Sequence, residues 1–142
     1  MASNSFSVGR DCQLVVIGPF GRVDLSHVTG FECRQLTTAV RVERIDGVQL
    51  AAELPKGWDG IFELERGSSA AEDFVAQLEA QYYVGGRLGQ ATLYQYINEP
   101  DGSTSTYQFQ GVVFKMTQAG IWRGDAAVKQ RLEFFAVQRT RV

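Results

Sequence analysis

The strongest pattern in the chain lies at residues 91–117, ATLYQYINEPDGSTSTYQFQGVVFKMT. Two runs rich in aromatic and β-branched residues flank a Pro100-Asp101-Gly102 step. This step supplies the preset φ, the local hydrogen bonding and the permissive φ that a tight turn requires. The stretch therefore predicts a β-hairpin.

The second strand of this hairpin changes parity along its length. Tyr107 and Phe109 lie on one face, whereas Val112 and Phe114 lie on the opposite face. One extra residue in a strand produces such a change, so Gly111 is predicted to form a β-bulge.

One helix is predicted immediately before the hairpin. Ser69 and Glu72 have the spacing of a capping box, in which each side chain accepts a backbone N–H of the first turn. An apolar stripe follows at helical spacing: Ala71, Phe74, Val75, Leu78 and Tyr82. Gly85 and Gly86 are predicted to end the helix.

Further strands are predicted on both sides of these elements. They are residues 12–18, a segment around residues 30–33, residues 37–47, residues 60–67 and residues 126–139. The segment 37–47 alternates most clearly and ends in an Asp46-Gly47 turn signal. In the last strand, Val128, Gln130, Leu132, Phe134 and Ala136 share one face.

Residues 47–60 have no clear period and contain Pro55, Gly57 and Trp58. They are predicted to form a long loop. Loops of this length in compact domains are usually functional or disordered.

Composition favours a single β-rich domain over residues 1–142. The chain has 44% hydrophobic residues and 15 glycines against 3 prolines, which is typical of short strands joined by turns. Residues 1–11 are mostly polar and are expected to form a flexible N-terminal segment that orders on assembly. No apolar run is long enough to span a bilayer and the start lacks a secretory signal, so we expect no membrane span and assembly in the cytoplasm.

Charge is unevenly distributed, although the net charge is only −2. Residues 1–102 hold 14 acidic and 8 basic side chains, for a net −6, whereas residues 103–142 hold 2 acidic and 6 basic ones, for a net +4. The asymmetry is either accidental or marks complementary faces of a subunit that stacks head to tail.

No set of residues predicts an enzyme or a cofactor site. His27 is the sole histidine, and its neighbours Asp24 and Ser26 are too close in sequence to form a catalytic triad with it. Cys12 and Cys33 do not have the spacing of a metal site or a disulfide framework. Inside the cell we expect both thiols to be reduced. The more specific hypothesis is that, outside the cell, they form a disulfide within or between subunits.

Three segments, in this order, resemble the phage tail tube family. They are the predicted helix with the glycines that end it, residues 91–114, and the terminal VKQRLEFFAVQR at residues 128–139. The resemblance implies a mainly β fold: an antiparallel β-sandwich or small barrel flanked by one α-helix. It also implies hexameric rings that stack into a β-lined channel. The same fold serves R-type pyocin tubes and the tube protein of type VI secretion.

The function that this resemblance implies is structural. The chain is expected to form the conduit for DNA ejection in a phage tail, and a contractile tail is favoured over a non-contractile one. DNA is expected to pass through the conduit without specific binding. Its expected partners are other copies of itself and the sheath, tape-measure, baseplate and tail terminator proteins. The alternatives are a type VI or pyocin-like inner tube and, second, a monomeric ligand-binding β-barrel.

Two groups of residues are expected to serve this function. The loop at residues 47–60, with Leu50, Leu54 and Trp58, is expected to contact a stacked ring or a sheath. The second group is Glu43, Glu63 and Glu65, which are expected to face the lumen and to repel phosphate over about a Debye length, ~8 Å at physiological salt.

Overall fold

The computed structural model describes residues 6–23, 25, 27–86 and 89–142. Strands dominate this part of the chain and one α-helix accompanies them, so the mainly β prediction is confirmed. The elements are a 3₁₀ turn at Gly9–Asp11, β1 Cys12–Gly18, β2 Gly21–Val23, β3 Val28–Glu43, β4 Gln49–Glu65, α1 Ala70–Gly85, β5 Ala91–Asn98, β6 Thr104–Gln118, β7 Lys129–Ala136 and β8 Gln138–Arg141. Residues 1–5 of the predicted N-terminal segment lie outside the described residues.

The strands are antiparallel throughout and follow the order β2-β1-β5-β6-β7-β4-β3, with β8 added to β6. They form two sheets that share the long strand β6. Sheet A contains β2, β1, β5, the first half of β6 and β8; sheet B contains the second half of β6, β7, β4 and β3. Because β2 and β3 stand at the two ends of this path, the described sheet does not close into a barrel.

The predicted bulge at Gly111 is where β6 passes from one sheet to the other. Ala91 pairs with Val112 and Leu93 with Phe109, so β6 carries one extra residue between these pairs. Gly111 has φ +62°, and a Cβ there would lie 2.9 Å from Val137. The bulge turns the apolar residues of both halves of β6 toward the same core, which confirms the prediction.

Aromatic rings fill the space between the two sheets. Phe109 of sheet A lies 5.5 Å from Phe134 and 6.4 Å from Phe31 of sheet B, measured between ring centroids. Phe74 of α1 packs edge-on against Phe114 at 5.3 Å. The strand face predicted for β7 is confirmed, because its alternate residues Gln130, Leu132, Phe134 and Ala136 are buried.

The helix begins and ends where the sequence predicts, but its start is built differently. Ser69 is the N-cap residue, and its hydroxyl donates to the Asp73 carboxylate at 3.0 Å, with no side-chain cap bond to the backbone. Glu72 instead accepts hydrogen bonds from Arg66 and Gln130. The predicted capping box is therefore wrong, because stronger partners outside the helix engage its glutamate.

The end of the helix confirms the glycine stop. Gly86 has φ +66°, and its N–H donates to the Tyr82 carbonyl at 2.8 Å. Ala71 and Phe74 of the predicted apolar stripe are buried, but Tyr82 is 48% exposed. The stripe therefore ends at Leu78, about two turns before the helix does.

The predicted loop at residues 47–60 is wrong. Residues 49–60 belong to β4, which pairs with β3 along its whole length after an Arg44–Gly47 turn. The two predicted segments 30–33 and 37–47 are likewise parts of one strand, β3. The apolar residues Leu50, Ala52 and Leu54 do alternate along β4, but the nearby Pro55 and Gly57 are turn-forming residues that favoured a loop.

Pro55 is compatible with this strand because of its position. The ladder between β4 and β7 ends at Trp58 and Ala136, so Pro55 lies where β4 has β3 as its only neighbour among the described strands. A proline is tolerated in an edge strand, since no ladder bond depends on its missing N–H.

Candidate self-assembly surfaces

The outer halves of β3 and β4 form a projecting two-stranded hairpin, residues 37–56, which we name the hairpin arm. Every residue in it is exposed. The Arg44–Gly47 turn closes its tip, where Gly47 has φ +86°. The hairpin arm thus has backbone pairing between its own strands but no core of its own.

One face of the hairpin arm is apolar. Val40 pairs with Ala52 and Val42 with Leu50, and cross-strand partners point to the same side of a sheet. We name this side the apolar face of the arm; it consists of Val40, Val42, Leu50, Ala52 and Leu54, together with Thr38, the partner of Leu54. Its large side chains are 41–52% exposed, and Ile45 at the tip is fully exposed.

The other face of the hairpin arm is polar. It carries Arg41, Glu43, Gln49 and Glu53, and the Thr37 hydroxyl donates to the Glu53 carboxylate at 2.8 Å. This face is expected to stay in contact with water, because moving charges out of water is costly. The hairpin arm is therefore amphipathic although both its faces are exposed in the isolated chain.

The outer side of sheet B, away from the arm, carries charges of both signs; we name it the charged face. Its charged residues are Glu32, Arg34, Asp59, Glu63, Glu65, Lys115, Lys129, Arg131 and Glu133. Arg34 lies 2.8 Å from Asp59 and Arg131 lies 3.2 Å from Glu63. Lys115 stands opposite Glu133 and Lys129 opposite Glu65 in the strand register.

The outer side of sheet A has different chemistry. We name the part formed by β1, β5, β6 and β8 the uncharged face; it consists of Gln13, Val15, Ile17, Thr92, Tyr94, Tyr96, Asn98, Thr104, Thr106, Gln108, Gln110, Gln138 and Thr140. The rings of Tyr94 and Tyr96 stack at 6.2 Å. The Gln108 amide donates to the Tyr94 hydroxyl at 3.2 Å.

The three residues predicted for the inter-ring contact separate into two groups. Leu50 and Leu54 lie together on the apolar face of the arm. Trp58 lies beyond the arm and is half-buried, with its ring 6.3 Å from Phe109 and under the Arg139 guanidinium at 4.6 Å. Trp58 is thus part of the packing between the sheets.

The three glutamates predicted for the lumen also separate. Glu63 and Glu65 lie on the charged face, each beside or opposite a cation. Glu43 lies on the polar face of the arm, where its ladder partner is Gln49. The structure brings Glu63 and Glu65 together but not Glu43.

Cys12 and Cys33 are free, half-buried thiols. The Gln95 amide lies 3.4 Å from the Cys12 sulfur. Burial raises the pKa of the Cys33 thiol, and the nearby Arg139 charge only partly opposes this. A raised pKa leaves less thiolate, the form that reacts in disulfide formation. The disulfide itself remains a prediction.

Sequence reasoning missed a polar cluster at the start of α1. Gln130 is 1% exposed, and its amide donates to Glu72 at 2.8 Å and to the Ala119 carbonyl at 3.0 Å. Arg66 donates to the same carboxylate, which lowers the pKa of Glu72. The signal was present, since Gln130 shares the apolar face of its strand.

The described residues contain neither a candidate metal cluster nor a helix that could span a membrane. No group of three His, Cys, Asp or Glu side chains in them could hold a metal ion. None of the helices in this part of the chain is long and apolar enough to cross a membrane. Asp24 and Ser26, named with His27 above, lie outside the described residues, and His27 itself is exposed.

Comparison with known proteins finds similarity of fold only. No protein-family model matches the sequence, and no curated protein sequence matches it significantly. Three solved structures are similar to this chain over most of its length, each with 8% sequence identity.

Two of these chains come from an extracellular contractile injection system, PVC. One is from the sheath/tube terminator in the extended state, with a TM-score of 0.63 over 92% of this chain and 93% of that one. The other is from the sheath-tube complex, with a TM-score of 0.58 over 92% and 88%. The third is from the tube terminating cap of the anti-feeding prophage, with a TM-score of 0.63 over 100% and 94%.

Proposed function

We propose that this chain is a structural subunit of a tubular tail assembly and that it self-associates through the hairpin arm. The observation that carries the proposal is the exposed apolar face of the arm. Its valine and leucine side chains are about half exposed and lie outside the hydrophobic core of the chain. Such a patch on a projecting hairpin is typical of a contact with another protein.

The surface area of the chain supports the same conclusion. The chain exposes 9540 Å². A compact monomer of 15.7 kDa is expected to expose about 7,300 Å². The excess of roughly 2,000 Å² shows that the chain is less compact than such a monomer, as a projecting hairpin arm makes it. It leaves ample surface for interfaces of ordinary size, about 800 Å² per partner.

The fold similarity makes a tube the most economical form of that assembly. The similar chains belong to assemblies described by their tubes, sheaths, baseplate and caps. For this chain we propose rings, with hexameric order, that stack into a hollow conduit. Sheath, tape-measure, baseplate and terminator proteins are its proposed partners, and the virion tail its proposed location.

The charged face is proposed to line the conduit, with Glu63 and Glu65 among the lumen residues. Its carboxylates and cations lie in cross-strand pairs, so the wall would hold little net charge. A wall without unpaired lysines and arginines releases few counterions on contact with DNA and binds it weakly. We therefore propose that DNA passes through the conduit without specific binding.

A second function is favoured by the origin of the similar chains. PVC and the anti-feeding prophage supply all the structures reported above, and PVC is an extracellular contractile injection system. This chain would then be the inner tube of an injection apparatus. The two functions share the tube and differ in cargo.

The experiment is sedimentation velocity together with negative-stain microscopy of the purified full chain over a wide concentration range. We expect rings or tubes to appear as the concentration rises. A strictly monomeric species at the highest concentration, in both measurements, would contradict the proposal and favour a monomeric binding protein.

A further inference from the structure

The uncharged face is an unusual surface for a chain of this composition. The outward residues of β1, β5, the first half of β6 and β8 carry no charge, and Arg22 of β2, opposite Ile17, borders them. The outer side of sheet B instead alternates carboxylates with cations. Tyr94 and Tyr96 stack at its centre. The core of a protein interface has this chemistry: charged residues are depleted and tyrosine is enriched.

We propose that the uncharged face is the acceptor for the apolar face of the hairpin arm of a second copy. The inference rests on the proposed self-assembly and names the surface that receives the arm. The apolar face of the arm and the uncharged face are matched in charge, since neither carries a charged side chain. Burying the polar face of the arm instead would desolvate Arg41, Glu43 and Glu53.

The two surfaces cannot meet within one chain. The hairpin arm extends from sheet B, and the aromatic core separates sheet B from the uncharged face of sheet A. In the chain itself the apolar face of the arm stays exposed. A contact between the two surfaces must therefore join different copies.

Such a contact is heterologous, because one copy gives its arm and the other its sheet. When such contacts repeat head to tail, they produce closed rings or open filaments. The sizes also fit. Seven residues per arm strand span about 23 Å, and four strands of sheet span about 19 Å.

Two variants test the proposal. Leu50→Lys places a charge on the apolar face of the arm, and Gln108→Glu places one at the centre of the uncharged face. Each should raise the concentration needed for assembly at least about tenfold.

Gln13→Glu, at an exposed position of β1, is a second acceptor variant that perturbs packing less. Thr117→Glu, exposed on sheet B, is the matched control and should assemble as the wild type does. Circular dichroism and thermal melting establish that each variant is folded.

Mixing the two types of variant is the decisive step. The Leu50→Lys chain keeps an intact acceptor, and the Gln108→Glu chain keeps an intact arm. The mixture should form a 1:1 complex that does not grow, visible by sedimentation velocity, whereas each variant alone stays monomeric. Normal assembly of both acceptor variants, or the lack of a 1:1 complex from folded chains, overturns the proposal. In either case assembly through the hairpin arm still stands if the wild type forms rings or tubes and Leu50→Lys does not; it falls if the wild type does not assemble or if Leu50→Lys assembles as the wild type does.

Discussion

The β3–β4 hairpin has two halves that share one backbone ladder but differ in burial and in the number of neighbouring strands. In the inner half, Phe62 and Leu64 are 1% and 4% exposed, and β7 adds a second partner strand. In the outer half, residues 37–56 are all exposed and pair only with each other. The inner half is stabilised by the core, whereas the outer half keeps an apolar face that nothing in the chain covers.

The difference separates the energetics of folding from those of assembly. A two-stranded ribbon alone is marginally stable in water, so the hairpin arm depends on its anchor in sheet B. Substitutions in the inner half should therefore change the free energy of unfolding. Substitutions in the arm should leave it nearly unchanged and should affect association instead.

The largest expected effect is on the inner half. Phe62→Ala removes a fully buried ring from the core and should lower the free energy of unfolding by about 3–5 kcal/mol. Val42→Ala in the arm should change it by less than about 0.5 kcal/mol. Urea denaturation of dilute, monomeric protein measures both. Similar losses in the two variants would contradict the division of the hairpin.

A smaller effect is expected at the boundary between the halves. Gly57 has φ +115°, and a Cβ there would lie 2.7 Å from the Ala136 carbonyl oxygen. Gly57→Ala should therefore lower the free energy of unfolding by about 1–3 kcal/mol. Gly124→Ala is the control, because a Cβ there meets nothing within 4 Å. A Gly57 variant as stable as the control would mean that the boundary is not constrained.

The smallest effect concerns the cluster that joins α1 to β7. The pKa of Glu72 is lowered by its bond from Arg66, below its ordinary value of 4.5. A lowered pKa in the folded state means that this carboxylate stabilises the fold above its unfolded pKa, and that the contribution is lost as the pH falls through the folded pKa. Glu72→Gln should remove this component.

The measurement is the thermal midpoint of wild type and Glu72→Gln at a series of pH values. The wild type should be the more stable at neutral pH, and the difference should shrink in acid. Glu79→Gln, also on α1 but exposed, is the control and should show no such convergence. A difference between wild type and Glu72→Gln that does not depend on pH would contradict the role given to the carboxylate.

The sequence predicted the elements whose pattern arises from burial. The β5–β6 hairpin, the bulge at Gly111 and the buried face of β7 all followed from alternation against a core. Residues 49–56 were mistaken for a loop because the turn-forming residues Pro55 and Gly57 outweighed the alternation of Leu50, Ala52 and Leu54. The capping box failed because Arg66 and Gln130 compete for Glu72, and neither contact is local in the helix.

The candidate surfaces were only partly accessible to sequence reasoning. Leu50 and Leu54 were chosen because they lie in an apparent loop, and the structure places them on one face for a different reason, the β3–β4 register. Glu43 was grouped with Glu63 and Glu65 from alternation alone. Within β3, however, Glu43 has the parity of Phe31 and Cys33, which pack on the core, and so lies on the side opposite to Glu63. The uncharged face depends on four strands whose order is a property of the fold.

The most direct test of assembly through the hairpin arm compares Leu50→Glu with Gln49→Glu. These neighbours are both exposed and each gains one carboxylate, but Leu50 lies on the apolar face of the arm and Gln49 on the polar face. Sedimentation velocity and negative-stain microscopy should show that Leu50→Glu is folded and monomeric at concentrations where wild type and Gln49→Glu form rings or tubes. Assembly of Leu50→Glu at the wild-type concentration, or equal loss in both variants, would contradict the account.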